Sequence, residues 1–423
     1  MSYGSPETVG ALARGSGFRT GSSGLSRDLN RVAVLRLIGA SGPIARNQIA
    51  QRLGLSPATV TSLTRELLER GVVRVADHAP SRGGRPAVLL ELVGGAATAL
   101  GVKIAPDHLV GVLVNLDGEV FERFELKFDA TARDSVEHLG SVLESWIAEV
   151  PSAAPLLGVG LGMPGVVDVE RGTVSSPMLG WDGLPLSEVL HKRLGLPVLV
   201  DNDVNTLAVS ERLYGRGREV ENFITVTTGR GVGLGIVTGG DIYHGFGGGA
   251  GEFGHVAAVD DGPRCSCGRR GCLESVIADP ALVADARARG VLSSRQGITK
   301  LRALANAGDT QAHEIFATAG GILGRAVAGL VNVLSPELVL VSGEGTEAWT
   351  HMADAFDGAL RSNIFPPLSG VTVEVDPWDD VKWAIGAAAL VLRATFTPHD
   401  ERQADNSIRA WLLAEPGRVE VVA

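Results

Sequence analysis

Two neighbouring segments decide how this chain is interpreted: Gly251-Glu252-Phe253-Gly254-His255 and Cys265-Ser266-Cys267-Gly268-Arg269-Arg270-Gly271-Cys272-Leu273-Glu274. Three thiolates and one imidazole at this spacing supply the four ligands of a closed tetrahedral zinc site, and the glycines let a short loop wrap around the ion. A disulfide framework is implausible because all three cysteines of the chain lie here. The alternative is cysteines without a ligand. The sequence therefore predicts a structural Zn²⁺ ion bound by His255, Cys265, Cys267 and Cys272.

A polar cluster and two glycine-rich stretches add candidate binding groups. Asp201-Asn202-Asp203-Val204-Asn205 follows an apolar run, where carboxylates and amides suit hydroxyl recognition or general-base chemistry, although such clusters also cap helices. Glycines are concentrated at 229–235 and 245–249, where backbone N–H groups can bind phosphates or the chain can simply turn tightly. Each of these patterns is by itself compatible with a purely structural role.

Residues from 98 onward alternate between short β-rich runs and helical patterns. The predicted strands are 100–104 and 109–116, which form a hairpin, and then 157–162, 198–201, 223–227 and 338–341. The predicted helices are 135–150, 186–194, 205–214, 312–334 and 383–393. This alternation predicts an α/β body with a central sheet whose ligands bind near strand ends.

The net charge changes sign along the chain. Residues 1–90 contain twelve Arg, no Lys and five acidic residues, a formal charge of +7; the total of −10 leaves −17 for the rest. A basic segment joined to an acidic body suggests a module that binds a polyanion. An Arg-rich solvated surface without a nucleic-acid partner is the alternative interpretation.

The basic segment has the pattern of a helix-turn-helix. After a Gly- and Ser-rich stretch at 1–25, which we expect to be a flexible tail, helical patterns occupy 26–38 and 46–53, and a third begins after Ser56 with Pro57. The outer face of the third helix carries Thr59, Thr61, Ser62 and Arg65. Short polar side chains of this kind suit a recognition helix in a DNA major groove.

Two apolar runs at 72–75 and 87–92 predict a β-hairpin wing. The connecting loop contains Arg82 and Arg85 among Gly and Pro residues, a slender arrangement that can enter the narrow minor groove of A·T-rich DNA. Winged helices also serve as protein docking modules, which is the alternative. The sequence predicts a winged helix-turn-helix DNA-binding domain at 26–92.

Composition excludes several classes of protein. The chain has 423 residues, of which 45% are hydrophobic and 20% charged, so it is not wholly disordered. No uninterrupted apolar run approaches the ~20 residues needed to cross a bilayer, so we expect no membrane partner. The N-terminus has no apolar signal-peptide segment, and we therefore expect a cytoplasmic protein.

Taken together, the motifs resemble those of the ROK family, which comprises bacterial repressors and sugar kinases. The resemblance covers nearly all of residues 26–395 and is most specific from Gly245 to Glu274. It implies a two-lobed, actin- and hexokinase-like sugar-kinase-type domain at 98–395, which would also mediate oligomerisation, and leaves 396–423 as an extension of unknown role. Members with an N-terminal winged helix are transcriptional regulators, whereas family kinases lack that domain.

The resemblance also implies a sugar site. In ROK kinases, sugar hydroxyls are bound by an Asn-Asp pair at a strand end, by the Glu and His of the Gly-Glu-x-Gly-His motif, and by the Glu after the last Cys. The matching residues here are Asn202, Asp203, Glu252, His255 and Glu274. Their carboxylates would accept hydrogen bonds from hydroxyls, and His255 would contact both the zinc ion and the sugar.

The departures from the kinase pattern lie in the segments that hold ATP. Family kinases carry Asp-x-Gly-Gly-Thr where this chain has Lys103-Ile104-Ala105-Pro106-Asp107, and Arg230 stands where kinases usually have Thr. Pro106 has no N–H, and Asp107 would place a carboxylate beside a phosphate. We therefore expect no ATP cofactor and no catalysis, with Asp203 kept as a hydroxyl acceptor.

These features together predict a sugar-responsive transcriptional regulator of carbohydrate metabolism or transport genes, most simply a repressor. Its expected partners are a palindromic operator DNA with A·T-rich flanks, a small sugar or sugar-phosphate effector, and further copies of itself in a homodimer or tetramer. Two alternatives stay open. One is an active ROK sugar kinase that also binds DNA, and the other is a regulator whose body responds to a protein partner instead of a sugar.

Overall fold

The computed structural model describes residues 30–31, 33–35, 37–39, 41–78, 87–150 and 154–394. These residues form two compact units, one up to Glu91 and one from Leu92 onward, which we term the head and the body. The domain boundaries predicted from the sequence stay predictions. The predicted tail at 1–25 and the predicted extension at 396–423 lie outside the described residues.

The described residues of the head form three helices and a small sheet. The described residues between 30 and 41 are helical and form α1, and a bend at 42–43 follows them. The further elements are β1 (Ile44–Ala45), α2 (Arg46–Leu53), α3 (Pro57–Glu69), β2 (Val73–His78) and β3 (Val88–Leu92), with the strands in the order β1-β3-β2. Ser56 caps α3, because its Oγ accepts a hydrogen bond from the Thr59 backbone N–H at 3.1 Å. The head thus has the predicted winged helix-turn-helix fold.

The first lobe of the body is built on a mixed five-stranded sheet. Its strands are β4 (Thr98–Ile104), β5 (His108–Asn115), β6 (Val120–Lys127), β7 (Leu156–Met163) and β11 (Val198–Asn202), in the order β11-β7-β4-β5-β6. β4 and β5 form the predicted hairpin, whereas β4, β7 and β11 run parallel. A smaller antiparallel sheet contains β8 (Val166–Asp168), β9 (Thr173–Ser176) and β10 (Trp181–Leu184). Helices α4 (Ser135–Glu149) and α5 (Leu186–Leu194) bury their leucines in the core of this lobe.

The second lobe has its own five-stranded sheet and helical layer. The strands are β12 (Phe223–Thr228), β13 (Val232–Thr238), β14 (Asp241–Ile242), β15 (Leu338–Ser342) and β16 (Thr372–Val375), in the order β14-β13-β12-β15-β16. The helices are α7 (Glu274–Ile277), α8 (Asp279–Ala288), α9 (Ile298–Asn306), α10 (Thr310–Leu334) and α11 (Trp349–Asn363). α10 is long and apolar enough to cross a membrane, but Phe316 and Leu323 on it are buried in the core of this lobe. We therefore interpret it as a core helix.

Two further helices, α6 (Asp203–Leu213) and α12 (Asp380–Ala394), pack against each other and against strands of the first lobe. A Cβ atom on Gly160 of β7 would lie 1.8 Å from the Ala387 carbonyl oxygen, so glycine is required for α12 to approach the sheet this closely. α6 also contacts β12 and β13 of the second lobe. The N-terminus of α6 and the ends of β4, β7 and β11 are thereby placed where the two lobes meet.

All strands and helices predicted for the body are present, with bounds that differ by a few residues. α6 was expected at 205–214 but begins at Asp203, because Asn202 is its N-cap. α12 likewise begins at Asp380 instead of 383. Elements of the body that were not predicted are the strands β6, β13, β14 and β16, the small sheet, and the helices α7, α8, α9 and α11. Several of these strands are short, and most residues of β6 are exposed. The observed architecture confirms the predicted fold class.

Candidate functional site

A cavity of about 540 Å³ lies between the two lobes of the body. Its walls include the C-terminal ends of the parallel strands β4, β7 and β11, which is where open α/β sheets bind ligands. All five residues predicted to bind sugar line this cavity: Asn202, Asp203, Glu252, His255 and Glu274. We term these five residues the hydroxyl wall. The fold thus brings together side chains from three separate segments of the sequence.

The side chain of Asn202 links a strand end to a helix start. Its Oδ1 accepts hydrogen bonds from the backbone N–H groups of Val204 and Asn205 at 2.8 and 3.4 Å. Its Nδ2 donates to the Gly165 carbonyl oxygen at 3.0 Å. Most of the hydrogen-bonding capacity of this amide is therefore engaged within the protein, which leaves one N–H for a ligand. Asn202 therefore both stabilises the structure of the site and can bind a ligand there.

Asp203 is the first residue of α6 and lines the cavity directly. Its Oδ1 accepts a hydrogen bond from the Val204 backbone N–H at 2.9 Å. Burial raises the pKa of Asp203 from 3.8 to about 6, and the nearby charge of Lys103 opposes this rise. A carboxylate held in a cavity against its desolvation cost is typical of a functional group.

Asp201 supports the site, although only its membership of the polar cluster, and no role in the site, was predicted from the sequence. It is 2% exposed, and its Oδ1 accepts hydrogen bonds from the Asn202 backbone N–H at 2.7 Å and from Asn205 Nδ2 at 2.9 Å. Its Oδ2 lies 2.8 Å from His244 Nε2. These contacts fix the strand-to-helix turn that carries Asn202 and Asp203.

Glu252 and His255 extend from a turn that only glycine permits. Gly251 has φ of +92°, and a Cβ atom on it would lie 2.2 Å from the Leu234 carbonyl oxygen. Four residues later, His255 Nε2 lies 3.7 Å from Glu252 Oε2. The imidazole and the carboxylate are therefore presented side by side at the cavity.

Glu274 is held at the beginning of α7 by two different loops. Its Oε2 accepts a hydrogen bond from the Val232 backbone N–H at 3.3 Å, and its Oε1 accepts one from Ser266 Oγ at 3.3 Å. Val232 begins β13 and Ser266 lies between two of the cysteines. Glu274 therefore joins the cysteine-rich loop to the glycine-rich turn before β13.

Four candidate metal ligands converge beside the cavity. The ligand atoms of His255, Cys265, Cys267 and Cys272 all lie within 4.8 Å of one another. The Sγ atoms of Cys267 and Cys272 are 3.6 Å apart, and Cys265 Sγ is 3.5 Å from His255 Nδ1. A tetrahedral ion with Zn–S bonds of ~2.3 Å and a Zn–N bond of ~2.0 Å requires ligand separations of roughly 3.5–3.8 Å. The predicted cluster is therefore present, and it fits a tetrahedral metal ion.

Arg269 supports this cluster from the loop between the cysteines. Its Nη2 donates to the His255 carbonyl oxygen at 2.8 Å. The pKa of Cys267 is lowered to about 6 because the backbone N–H of Arg269, and then its guanidinium, donate to the sulfur. A lowered thiol pKa favours the thiolate, which is the form that binds metal ions.

A second group of charged side chains at the cavity pair with one another. Arg230 Nη1 and Nη2 donate to Asp107 Oδ1 and Oδ2 at 2.8 and 3.3 Å, which joins the second lobe to the first. Lys103 Nζ is hydrogen-bonded to Asp380. His108 lies between the two pairs, with Nδ1 2.8 Å from Asp107 Oδ1 and Nε2 3.3 Å from Asp380 Oδ2. We term Lys103, Asp107, His108, Arg230 and Asp380 the ionic wall.

The ionic wall contains the positions at which the chain departs from the kinase pattern. The hydrogen bonds from Arg230 lower the pKa of Asp107 from 3.8 to about 2, so its carboxylate is ionised at neutral pH. A second carboxylate, that of Glu344, has its Oε1 3.8 Å from Arg230 Nε. The guanidinium that could have bound a phosphate is therefore engaged by protein carboxylates.

In the head, the four residues predicted to contact DNA from α3 differ in exposure. Thr61 and Arg65 are exposed, whereas Thr59 and Ser62 are half-buried. Thr59 Oγ1 lies 2.8 Å from Ser56 Oγ, so part of its hydrogen-bonding capacity supports the N-cap. Arg82 and Arg85, predicted for the tip of the wing, lie outside the described residues. The exposed face of α3 thus centres on Thr61 and Arg65.

Several basic side chains of the head have structural roles. Nη2 of Arg31 and Nη2 of Arg70 lie 2.7 and 3.0 Å from Glu66 Oε1, and the two arginine side chains are only 7% and 12% exposed. Arg46 Nε donates to the buried Thr64 Oγ1 at 2.8 Å. Some of the twelve arginines counted from the sequence are therefore engaged within the head and do not belong to an exposed basic surface.

The head and the body each match a known protein family. Residues 99–394 match the ROK family, and residues 27–74 match a winged helix-turn-helix DNA-binding family. The N-acetylglucosamine repressor of Escherichia coli O6:H1 is 31% identical over 397 residues, which cover 90% of this chain and 97% of the repressor. The similarity to regulators thus extends through the head and the body.

Solved structures give the same result. A ROK family transcriptional regulator, described as a homologue of the E. coli MLC protein, superposes with a TM-score of 0.79 at 26% identity and covers 92% of this chain and 99% of its own. A ROK family glucokinase from Streptomyces griseus, solved with glucose and AMPPNP, superposes with a TM-score of 0.60 at 27% identity and covers 69% and 98%. The chain therefore belongs to the ROK family and joins a winged helix-turn-helix head to that family's hexokinase-like body.

Proposed function

We propose that this protein is a sugar-responsive transcriptional regulator, a repressor of carbohydrate genes, whose head binds operator DNA and whose cavity binds a sugar. The proposal rests on which residues line the cavity and how they are paired. It keeps all five residues of the hydroxyl wall, while the positions where kinases hold ATP carry side chains that pair with one another. The repressor named above, which is similar along nearly the whole chain, supports the same function.

The hydroxyl wall suits a polyhydroxylated ligand. The carboxylates of Asp203, Glu252 and Glu274 accept hydrogen bonds from sugar hydroxyls, and the remaining N–H of the Asn202 amide donates one. Hydrogen bonds to ionised carboxylates are the strong ones, so these residues would supply most of the orientation of the sugar. Asp201 would act behind them as a positioning residue.

We propose zinc as the metal, because three thiolates and an imidazole are the donor set that zinc prefers. Its chemistry here is structural, since four protein ligands leave no open position. With Nδ1 of His255 on the metal side, Nε2 carries the ring proton and can donate toward Glu252 or a sugar hydroxyl. The metal would thereby connect the folding of the cysteine-rich loop to the geometry of the sugar site.

The proposed DNA contacts come from α3 and the wing. Thr59, Thr61, Ser62 and Arg65 would meet base edges or phosphates in a major groove, and Arg82 and Arg85 would reach the adjacent A·T-rich minor groove. Two heads of a homodimer, or of a tetramer, would bind a palindromic operator with half-sites spaced by multiples of ~10 base pairs. Such a protein acts in the cytoplasm, where it has access to DNA.

The sugar can act as a signal only if it binds two conformations of the protein with different affinity. The cavity lies between the two lobes, so closure of the lobes around a ligand is the candidate conformational change. The Arg230–Asp107 pair joins the lobes at the edge of this cavity. We propose that lobe closure changes the DNA affinity of the assembled heads.

A second candidate function is a sugar kinase that also binds DNA. Asp203 favours it, because burial raises its pKa to about 6, a value suited to a general base. The glucokinase similarity over the body favours it as well. Against it stands the ionic wall, which places the carboxylates of Asp107 and Asp380 where ATP phosphates would need cationic or N–H donors.

DNA binding with and without sugars tests the leading proposal. DNA selected by the full-length protein from a random-sequence library would be titrated in the presence of neutral pentoses, hexoses and N-acetylhexosamines, with fluorescence anisotropy as the readout. We expect at least one sugar to change the DNA affinity of the wild-type protein by ~10-fold. Glu252→Gln should abolish this change and leave sugar-free DNA affinity near wild type. If no sugar alters DNA affinity or oligomeric state, the proposal is wrong.

Arg65→Ala tests the DNA surface separately. Loss of a phosphate contact should weaken DNA binding and reduce the salt dependence of log K by about one charge for each protomer, with sugar binding unchanged. Arg361→Ala is the matched control, because Arg361 is an equally exposed arginine paired at i,i+4 on α11 of the body. Equal effects of the two substitutions would contradict the assignment of α3 to DNA.

A further inference from the structure

The charged side chains that line the cavity are predominantly acidic. Four carboxylates line it, those of Asp203, Glu252, Glu274 and Glu344, against two permanently cationic groups, Lys103 and Arg230. Three of these carboxylates belong to the hydroxyl wall, and the fourth, that of Glu344, lies beside the ionic wall. A ligand that carries negative charge would therefore meet more like charge than opposite charge.

Both cationic groups are already neutralised by partners that do not line the cavity. Arg230 donates to Asp107 through two nitrogens, the bidentate geometry that is otherwise used to bind a phosphate. Lys103 is paired with Asp380. His108 contacts both of these carboxylates. A phosphate that bound these groups would have to compete with a protein carboxylate at each of them.

Backbone donors at the cavity are engaged in the same way. The N-terminus of the eleven-residue helix α6 faces the site, and helix N-termini commonly bind anions. Here the Val204 N–H already donates to Asn202 Oδ1 and Asp203 Oδ1. The Val232 N–H of the glycine-rich turn donates to Glu274 Oε2. These two backbone groups at the cavity are therefore already bound by protein oxygens.

We infer that the cavity selects an uncharged carbohydrate and rejects the phosphate ester of the same sugar. The inference rests on the proposed function and narrows its effector, for which the sequence allowed either a sugar or a sugar phosphate. A neutral sugar offers hydroxyl donors to the carboxylates of the hydroxyl wall. A phosphate monoester carries a charge of roughly −2 at pH 7.5 and would meet four carboxylates in the cavity. The two permanently cationic groups that line the cavity are already paired with carboxylates of the protein.

Isothermal titration calorimetry on the full-length protein at pH 7.5 tests the inference with matched pairs of ligands. The pairs are N-acetylglucosamine with its 6-phosphate and glucose with its 6-phosphate. We expect the neutral member to bind at least ~10-fold more tightly, because like charges across a binding surface are strongly unfavourable. Equal or tighter binding of an ester would overturn the inference and leave the sugar site standing. Absence of binding by every neutral sugar and every ester would contradict the sugar site itself, and the inference with it.

Two substitutions test the physical cause. Asp107→Asn removes the carboxylate that holds Arg230, so the preference for the neutral sugar over its ester should narrow several-fold. Asp107 is an exposed side chain, so the variant is expected to fold. Asp357→Asn is the matched control, because Asp357 forms a similar exposed pair with Arg361 away from the cavity and should leave the preference unchanged. An unchanged preference in Asp107→Asn would overturn the role of the ionic wall.

Discussion

The hydroxyl wall lines the cavity with all five of its residues, and the ionic wall reaches the same cavity through Lys103, His108 and Arg230. The two walls use their charges in opposite ways. In the hydroxyl wall, backbone N–H groups hold the carboxylates of Asp203 and Glu274 in place and leave further lone pairs for a ligand. In the ionic wall, Arg230 and Lys103 are engaged by carboxylates of the protein itself. One cavity can therefore keep the carboxylates that recognise a sugar while the cations that could hold a phosphate are engaged by the protein itself.

Loss of the metal should damage the hydroxyl wall most, since His255 belongs to both the wall and the metal cluster. Structural zinc sites contribute so much to folding that chelation, or Cys272→Ser, should lower the unfolding temperature of the body by ~10 °C. Sugar binding should be lost as well. Metal analysis, calorimetric melting and re-addition of Zn²⁺ to the chelated wild type are the measurements. A metal-free protein with unchanged melting and sugar binding would contradict the zinc assignment.

Asp203→Asn should stabilise the protein while abolishing sugar binding. The pKa of Asp203 is raised from 3.8 to about 6 in the folded state, so the folded state holds this proton more tightly than the unfolded state. Stability therefore falls as pH rises from about 4 to 6, and the ionised form at pH 7 costs about 3 kcal/mol. The variant should regain up to about that amount at pH 7 and none of it at pH 3.

Denaturant unfolding at pH 7 and pH 3 measures this effect. Asn205→Asp, at a buried position of the same helix, is a control that should destabilise the protein at pH 7, since it adds a buried charge beside Asp201. If Asp203→Asn were destabilising at pH 7, the carboxylate would stabilise the fold, and its assignment to a ligand site would be wrong.

The pH dependence of sugar binding should follow the same carboxylate. Ionised Asp203 is the stronger acceptor for a hydroxyl, so sugar affinity should be constant above its pKa of about 6 and fall by ~10-fold per pH unit below it. Calorimetric titrations from pH 5 to pH 8 measure this profile. Affinity independent of pH over this range would show that Asp203 does not accept a hydrogen bond from the sugar.

Removal of a carboxylate from the ionic wall should have the smallest effect on stability. The side chains of Asp107 and Arg230 are 63% and 48% exposed, and solvent screening limits such pairs to below about 1 kcal/mol. Asp107→Ala should therefore change the free energy of unfolding by less than that amount, measured by denaturant titration at pH 7. A loss of several kcal/mol would mean that this pair holds the two lobes together. The two walls would then not differ in their contribution to the free energy of unfolding.

The two walls also differ in how far the sequence predicts them. The hydroxyl wall comes from compact motifs, in which Asn202 and Asp203 are adjacent and Glu252 is three residues from His255, and the resemblance of these motifs to the ROK family identifies it. The Arg230–Asp107 pair joins residues 123 positions apart that meet only when two lobes pack together. The sequence therefore shows that the kinase residues are replaced, but not that their replacements bind each other.

Which charged side chains of the head are exposed could not be predicted from the sequence either. The charge counted along the sequence assigns Arg31 and Arg70 to a basic surface, whereas Arg31 is buried, Arg70 is half-buried, and both pair with Glu66. Helix α3 was predicted well because its N-cap, proline and apolar spacing are all local signals. Which arginines remain exposed depends on packing between elements, and that information is not local.

Calorimetric titration of the full-length protein with a responsive neutral sugar and with Mg-ATP, each alone and both together, tests most directly whether the two walls differ as described. ADP release in the same mixtures reports phosphoryl transfer. We predict measurable sugar binding that Asp203→Asn abolishes, no heat of nucleotide binding, and ADP release at the level of buffer. Nucleotide binding accompanied by sugar-dependent ADP release would contradict this account and establish the protein as a kinase.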